Sequence, residues 1–245
     1  MRNIKLTVAY EGTAYNGFQR QLNGIGIQQI LEVRLAKLFG HELKMSGAGR
    51  TDKGVHAYGQ VVNFMTNGTI PAQRIPLGSR GLLPDDIVIT EAQEVDENFH
   101  ARFDSTSKIY VYKIYPHVVP NLFLRNYAWH IWKDLNIDDL QEATQHILGT
   151  HDFSAFCAAG TSPPLSPVRT LIAVQCQFDG DILEISFWGT GFLYHMVRNL
   201  TGTLVEVGLG AHSVKDFKRI LTSCERKNAG ITAPAHGLYL KEVIY

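Results

Sequence analysis

An Asp-Gly pair between two apolar-rich runs is the feature that most constrains the fold of this chain. Asp179 and Gly180 separate residues 171–178 from residues 181–188, and both runs are rich in β-branched, aromatic and other apolar residues. Such a pair between two such runs is a strong signal for a β-hairpin. Residues 4–10 add an alternation of apolar and polar side chains, which predicts a strand with one buried face. The chain is therefore expected to contain antiparallel sheet.

Helical periodicity explains several other segments. Apolar residues recur at helical spacing up to Phe39, and Gly40 follows as a C-terminal cap. Ser213 and Asp216 have the spacing of a capping box at a helix start. The predicted helices cover residues 27–39, 139–148, 192–207 and 213–223. Further strands are predicted at residues 60–65, 87–91, 108–115 and 238–245, and a loop at residues 160–167.

Strands and helices do not alternate regularly along the chain, which favours an α+β fold with mainly antiparallel sheet covered by helices. Each half of the chain contains strands and at least one long helix. Two similar subdomains are therefore predicted, residues 1–104 with the aspartate loop described below and residues 105–245.

Composition excludes several classes of protein. No run of residues approaches the length of a membrane span, and the first residues enter a strand pattern at once, so a soluble cytoplasmic protein is expected. The three cysteines, Cys157, Cys176 and Cys224, are widely spaced and form neither a Cys-x-x-Cys pair nor a disulfide framework. No metal site is predicted. Lys plus Arg and Asp plus Glu both number 23. This balance does not indicate nucleic-acid binding, although acidic residues elsewhere can offset a basic cleft.

Residues 47–57 carry the most distinctive chemistry, with the sequence GAGRTDKGVHA. Asp52 lies between two cations, Arg50 and Lys53, in a glycine-rich turn. Neighbouring positive charge and backbone N–H groups favour the ionised form of a carboxylic acid. Such a carboxylate can act as a nucleophile or stabilise positive charge at a sugar carbon. The simpler interpretation is a surface turn with three solvated charges, and residue types alone leave both open.

Two further positions allow a structural and a functional interpretation. Tyr110 and Tyr112 are two residues apart on a predicted strand, so they share one face, either packed in the core or with a ring stacked on a displaced base. Arg198 follows Met196 by two residues and is expected to point away from the apolar stripe of its helix. It is either solvated or held in an ion pair with a buried carboxylate.

Candidate phosphate contacts occur in two short segments. His100 and Arg102 lie on one side of the segment FHARF if it is extended, where they either bind phosphate or decorate an exposed strand end. Arg20, in the segment GFQRQ, has the same ambiguity. A different hypothesis makes Asp52 and His56 an acid–base pair in a small-molecule hydrolase.

The chain resembles the TruA-type family of pseudouridine synthases in seven segments that occur in order and extend over nearly its whole length. These segments are GFQRQ (17–21), AGRTDKGVHA (48–57), GQVVNF (59–64), FHARF (99–103), YVY (110–112), HMVRN (195–199) and GLYL (237–240). The core GRTDxGVH is highly specific for that family.

The resemblance implies a fold, an activity and a set of site residues. Members have two α+β subdomains around a basic cleft, act as homodimers without a cofactor, and isomerise uridine to pseudouridine in the anticodon arm of tRNA, typically at positions 38, 39 and 40. Asp52 matches the catalytic aspartate, and Arg50 matches a residue implicated in base flipping. Tyr110 matches a tyrosine that contacts the uridine, Arg198 an arginine that pairs with the aspartate, and Leu238 an apolar residue of the active site.

The chain departs from the family pattern at three places, one of which is the loop at residues 160–167, a weak match. The family usually has tryptophan where Phe18 stands, which is expected to be a modest change on an aromatic surface. An asparagine before Leu-Pro is not evident in residues 80–84, RGLLP. A non-catalytic RNA-binding protein that kept the fold is the alternative function.

Overall fold

The computed structural model describes residues 1–158 and 166–245, so most of the loop predicted at residues 160–167 lies outside the described residues. The chain divides into two compact units. The first contains Met1–Thr106 and Tyr239–Tyr245, and the second contains Ser107–Leu238. This division differs from the predicted subdomains in its last strand, which returns to the first unit because it pairs there with a strand about 180 residues earlier.

The first unit, all of whose residues are described, is a mainly antiparallel sheet with two α-helices and a 3₁₀ turn, Ala72–Arg74. Its elements are β1 (Arg2–Tyr10), α1 (Ile27–Phe39), β2 (Ser46–Gly47), β3 (His56–Thr66), α2 (Ile75–Ser79), β4 (Ile87–Val95) and β10 (Leu238–Ile244, from Tyr239 onwards). Strand β1 runs antiparallel to β3 and β4, while β3 also pairs with β2 and, in parallel, with β10. The α+β class with mainly antiparallel pairing is confirmed.

The predicted signals of strand β1 and helix α1 are both confirmed. Ile4, Leu6 and Val8 are fully buried on one face of β1. Helix α1 ends at Phe39, and Gly40 adopts a positive φ of 74° while its N–H donates to the Ala36 carbonyl oxygen. A left-handed residue at this position satisfies a carbonyl group that the helix end would otherwise leave without a partner.

The second unit combines a hairpin-based sheet with three α-helices in its described part. Its elements are β5 (Ser107–Pro116), β6 (Trp129–Ile131), α3 (Ile137–Thr144), β7 (Gly149–Asp152), β8 (Val168–Asp179), β9 (Ile182–Gly189), α4 (Met196–Gly208) and α5 (Val214–Ser223). Strand β9 lies antiparallel between β5 and β8, β7 continues beyond β8, and β6 pairs in parallel with β5.

Several boundaries in the second unit differ slightly from those predicted. The hairpin turn consists of Gly180 and Asp181, because Asp179 already pairs with Ile182. The predicted helix 139–148 is α3 followed by a 3₁₀ turn, Gln145–Ile147, and Gly149 opens β7. The capping box at Ser213 and Asp216 is present as predicted and starts α5.

The segment FHARF is not extended, so the condition under which His100 and Arg102 would share one side of a strand is not met. The N–H groups of Phe103 and Asp104 both donate to the His100 carbonyl oxygen at 3.1 Å, so the segment closes into a turn. Because these hydrogen bonds are made within the segment, the same N–H groups do not pair with a neighbouring strand. Among the described residues, no helix combines the length and apolar character needed to cross a membrane.

Candidate active site

Asp52 is half-buried at the start of a tight turn in the first unit. The N–H of Val55 donates to the Asp52 carbonyl oxygen at 3.1 Å, which closes a four-residue turn. Gly54 has a φ of 79°, a conformation that is strained for other residues and that the third position of this turn requires. The glycine-rich turn predicted around Asp52 is thus present, and its shape depends on Gly54.

The residue before Asp52 ties the turn to the core. The Thr51 hydroxyl and the Tyr10 hydroxyl share a buried hydrogen bond of 2.7 Å, and the Thr51 carbonyl oxygen accepts the N–H of Phe18 at 3.1 Å. Burial raises the pKa of Tyr10 to about 12, so this phenol keeps its proton at neutral pH. Thr51 is therefore held from its side chain and its backbone, which limits the directions Asp52 can take.

Close backbone packing supports the same turn from the segment GFQRQ. Gly17 has a φ of 81°, and a Cβ atom there would lie 2.5 Å from the Thr51 carbonyl oxygen. No side chain fits into that space, since real Cβ contacts do not come so close. Gly17 thus lets two loops touch, and the next residue, Phe18, donates the bond to Thr51.

The charges predicted around Asp52 lie on this one loop. Arg50 and Lys53 are exposed, whereas Asp52 is half-buried between them in the chain. A carboxylate with cations on both sides and partial shielding from water interacts more strongly with its neighbours than one in bulk solvent. The loop can therefore present one anion to a ligand while offering two cations to phosphate groups.

His56 has a structural role that the hydrolase hypothesis did not anticipate. Its imidazole is 2% exposed, its Nδ1 accepts the N–H of Gly12 at 3.0 Å, and its ring stacks on Tyr239 with centroids 4.7 Å apart. These contacts connect the turn after β1 to the start of β3. They make His56 an anchor for the loops around Asp52, which disfavours an Asp52–His56 acid–base pair.

Arg198 occupies the first turn of α4 in the second unit. Its Nε donates to the Ala233 carbonyl oxygen at 2.8 Å, and its Nη1 donates to Nε2 of His195 at 3.3 Å. The side chain is half-buried and lies outside the apolar stripe, as predicted. Arg198 is thus a fixed cation and not a solvated one.

The two other predicted residues of the second unit are nearly buried. Tyr110 on β5 is 8% exposed, and its ring meets Phe192 edge to face with centroids 4.9 Å apart. Leu238 is 5% exposed and directly follows the 3₁₀ turn Ala235–Gly237. Tyr112 is fully buried and donates to the Pro234 carbonyl oxygen at 2.7 Å, which makes it a core residue.

The predicted phosphate contacts occupy two different environments in the first unit. Arg20 is exposed and forms a 3.2 Å ion pair with Glu32 of α1, whose carboxylate also accepts the N–H of Met45. His100 and Arg102 lie on the turn described above, with Arg102 exposed. Arg20 is thus partly committed to its own protein, while Arg102 faces solvent.

Comparison with known proteins matches both parts of the chain to one family. The family model described as tRNA pseudouridine synthase matches residues 6–104 and 143–245. The chain belongs to the tRNA pseudouridine synthase family. Its activity is the isomerisation of uridine to pseudouridine in tRNA, and this member is therefore an isomerase.

Full-length relatives agree with this membership. The chain is 46% identical over 245 residues to tRNA pseudouridine synthase A of Acetivibrio thermocellus, with 100% of both chains covered. It is 43% identical over 244 residues to tRNA pseudouridine synthase A of Bacillus subtilis, covering 99% of this chain and 98% of the relative. The solved archaeal box H/ACA sRNP Nop10–Cbf5 complex is a distant match, with a TM-score of 0.37, 11% identity, and 91% of this chain and 59% of that chain covered.

Phe18, where this synthase departs from the family pattern, is buried and not on a surface as expected. Phe18 was expected on an aromatic surface, but it is 3% exposed and stacks near Tyr10, with centroids 6.3 Å apart. The periodicity of a short loop carries no burial signal, so this environment was not evident from the sequence. Phe18 therefore belongs to the core that supports Asp52.

The sequence of this synthase did not predict a polar network next to Arg198. Asn199 is fully buried and donates to the Phe156 carbonyl oxygen at 2.8 Å, while its Oδ1 accepts bonds from Arg226 and Thr232. The segment HMVRN contains Asn199, but nothing in the local sequence indicates its distant partners.

Backbone conformation adds His195 to the missed residues. It has a φ of 59° immediately before α4, which is costly for a residue with a side chain. Its ring accepts from Arg198 and stacks on Tyr194 with centroids 3.9 Å apart. The strained backbone thus places the imidazole beside the arginine.

Proposed function

We propose that this isomerase converts uridines 38, 39 and 40 in the anticodon stem-loop of tRNA, with Asp52 as its catalytic nucleophile, and that it acts in the cytoplasm as a homodimer. The positions and the homodimer rest on the family resemblance. The observation that carries the catalytic assignment is the half-buried Asp52 on a turn that Thr51 anchors to the core. A reactive group needs this kind of rigid support to hold a productive geometry.

The reaction breaks the N1–C1′ bond, rotates the uracil and forms a C5–C1′ bond, after which the proton on C5 is lost and one is gained at N1. Atoms and electrons balance without a redox partner, so the chemistry itself requires no cofactor. The Asp52 carboxylate has three routes open: attack at C1′, attack at C6, or removal of the C2′ proton to form a glycal. Each route needs an anion close to the sugar or the base.

The remaining residues divide the work of binding and charge control. A uracil within a stacked stem is inaccessible, so it must be flipped out, which costs a few kcal/mol. The family resemblance assigns Arg50 and Tyr110 to holding the displaced base and Leu238 to the apolar packing of the active site. The family resemblance assigns Arg198 to pairing with the aspartate, and a planar guanidinium suits a carboxylate better than an ammonium group does. The phenol of Tyr110 is one candidate for the base that removes the C5 proton.

Replacing Asp52 tests the catalytic assignment. We expect Asp52→Asn to lower the rate of tritium release from tRNA labelled at uridine C5 by at least about 10³-fold, while Kd for tRNA stays within about two-fold. Asp85→Asn, at an exposed aspartate of the same unit, is the matched control and keeps wild-type turnover. Turnover near wild type in Asp52→Asn refutes the assignment.

Mapping separates the site preference from the catalytic role. Pseudouridine is mapped in tRNA from cells with and without the protein, and loss at positions 38, 39 and 40 is the expected result. Loss elsewhere contradicts the anticodon assignment but leaves Asp52 catalytic. A wild-type protein that binds tRNA without turnover supports the non-catalytic alternative, and sedimentation of the purified chain tests the homodimer.

A further inference from the structure

Phe103 is an apolar side chain that the first unit leaves in water. Its side chain is 74% exposed, against 49% for Tyr58 and 37% for Tyr245, which are also exposed aromatic residues of that unit. Leaving a phenylalanine ring in solvent forgoes the stabilisation that burial provides. A single exposed apolar residue is common, so its significance depends on how the surrounding chain holds it.

The turn that carries Phe103 is closed by several hydrogen bonds. The His100 carbonyl oxygen accepts the N–H groups of Phe103 and Asp104, both at 3.1 Å. The Asp104 carboxylate accepts the N–H of His100 at 2.8 Å, and the Nδ1 of His100 accepts the N–H of Arg102 at 3.1 Å. The backbone before and after Phe103 is therefore tightly constrained.

The base of the turn is fixed to the core of the unit. Ala101 is fully buried, its N–H donates to Oδ1 of Asn63 at 2.9 Å, and its carbonyl oxygen accepts the Tyr245 hydroxyl at 2.7 Å. Asn63 also donates to the Phe99 carbonyl oxygen at 3.0 Å. Ala101 lies two residues before Phe103 and is held by hydrogen bonds to Asn63 and Tyr245. The turn therefore presents Phe103 to solvent from a rigid support.

Two groups beside the ring are suited to a nucleotide. The His100 ring centroid lies 4.3 Å from that of Phe103 at an angle of 36°, and the Arg102 guanidinium carbon lies 5.7 Å from the Phe103 ring centroid. Since Nδ1 of His100 accepts a hydrogen bond, the proton of the neutral imidazole resides on Nε2, where it can be donated. The turn therefore combines a largely exposed aromatic ring, a cation that lies over that ring and an N–H donor.

We propose that Phe103 is a stacking platform for an unpaired base of tRNA, with Arg102 and His100 binding the adjacent phosphate. Both faces of a base in a stem are covered by its neighbours, so an exposed ring selects nucleotides of a loop. Aromatic stacking adds affinity with little dependence on base identity, and cations add contacts to phosphate. The bound base is a nucleotide other than the uridine that reacts at Asp52. This inference rests on the proposed function only in taking the tRNA loop as the substrate region.

The test measures Kd for a full-length tRNA transcript at several salt concentrations, together with the single-turnover rate at saturating tRNA. We expect Phe103→Ala to weaken binding about ten-fold with an unchanged salt slope, and Phe103→Trp to bind as wild type. Arg102→Gln lowers the salt slope by about one, because it removes one phosphate contact. The matched control is Phe178→Ala, at an exposed phenylalanine of the second unit, which keeps the wild-type Kd.

Distinct outcomes overturn the platform. Wild-type affinity in Phe103→Ala excludes it, and wild-type affinity in Phe103→Leu shows that apolar contact suffices without stacking. A changed sedimentation coefficient of free Phe103→Ala assigns the ring to contact with a second copy of the chain. The single-turnover rate at saturation stays at the wild-type value in Phe103→Ala, whereas failure of the catalytic proposal shows as turnover by Asp52→Asn. The two proposals therefore fail independently.

Discussion

Arg198 and Ala233 are joined by two hydrogen bonds of opposite direction. The Nε of Arg198 donates to the Ala233 carbonyl oxygen at 2.8 Å, and the N–H of Ala233 donates to the Arg198 carbonyl oxygen at 3.1 Å. Ala233 is fully buried, so the segment that follows α5 is fixed against α4 at this point. The direction of the guanidinium therefore depends on residues far from it in the chain.

Arg226 is expected to position Arg198 through that segment. Its guanidinium donates to the carbonyl oxygens of Ala229 and Gly230 and to the side chains of Asn199 and Thr232. We expect Arg226→Met to lower kcat at least about ten-fold with KM for tRNA nearly unchanged, because Arg198 loses its fixed direction while tRNA contacts remain.

Control variants separate positioning from general damage. Arg226→Lys, which keeps the charge but cannot form the same set of bonds, should recover only part of kcat. Arg219→Met removes an exposed arginine that pairs with Asp216 on α5 and should leave both constants unchanged. A wild-type kcat in Arg226→Met contradicts the positioning role.

The bond between Tyr10 and Thr51 is expected to contribute to stability and to the geometry of Asp52. Thr51→Val removes one partner of a buried hydrogen bond and should lower the free energy of unfolding by about 1–3 kcal/mol. The double variant with Tyr10→Phe should lose less than the sum of the two single changes, because neither polar group is then left without its partner.

Urea unfolding and turnover assays check the Thr51 prediction together. Thr69→Val, at an exposed threonine of the same unit, is the matched control and should change the free energy of unfolding by less than about 0.5 kcal/mol. Turnover should fall in Thr51→Val, because Asp52 directly follows the lost anchor. Additive losses in the double variant would show that the two hydroxyls do not support each other.

His236 is expected to make stability depend on pH. Burial lowers the pKa of His236 below its ordinary value of 6.5; a hydrogen bond with the Ala128 backbone opposes this shift, and the charge of Arg198 adds to it. The unfolded chain thus binds a proton more readily than the folded one. The contribution of neutral His236 to the free energy of unfolding is fully present above pH 6.5. It is lost as the pH falls through the lower pKa of the folded state.

Unfolding in urea at pH 7.5 and pH 5.5 tests this sign. His236→Gln should show a smaller loss of stability on acidification than the wild type. Arg198→Gln should bring the pKa of His236 closer to 6.5 in an NMR titration, since one source of the depression is removed. A wild-type pKa in Arg198→Gln would rule out the electrostatic contribution.

The elements that were predicted correctly all depend on contacts within a few residues. Alternation in β1, the Gly40 cap of α1 and the capping box of α5 each involve side chains and backbone groups close in the chain. The motif around Asp52 is local in the same way, so the turn and its charges were recognisable from residue types alone.

The elements that were not predicted depend on partners far apart in the chain. FHARF closes into a turn whose base is held by Asn63 and Tyr245, Phe18 packs in the core, and Arg226 reaches Asn199 across 27 residues. None of these partners leaves a periodic signal at its own position. Their places follow from the packing of complete strands and helices.

Residue order alone was enough to specify the local elements, the family and the charged turn around Asp52, because hydrophobic spacing, caps, turn residues and short motifs act over short distances. Only the tertiary structure anchors Thr51 to Tyr10, fixes the direction of the Arg198 guanidinium at Ala233 and holds Phe103 in solvent. Each of these depends on hydrogen bonds and packing between distant segments, whose partners meet once the core excludes water.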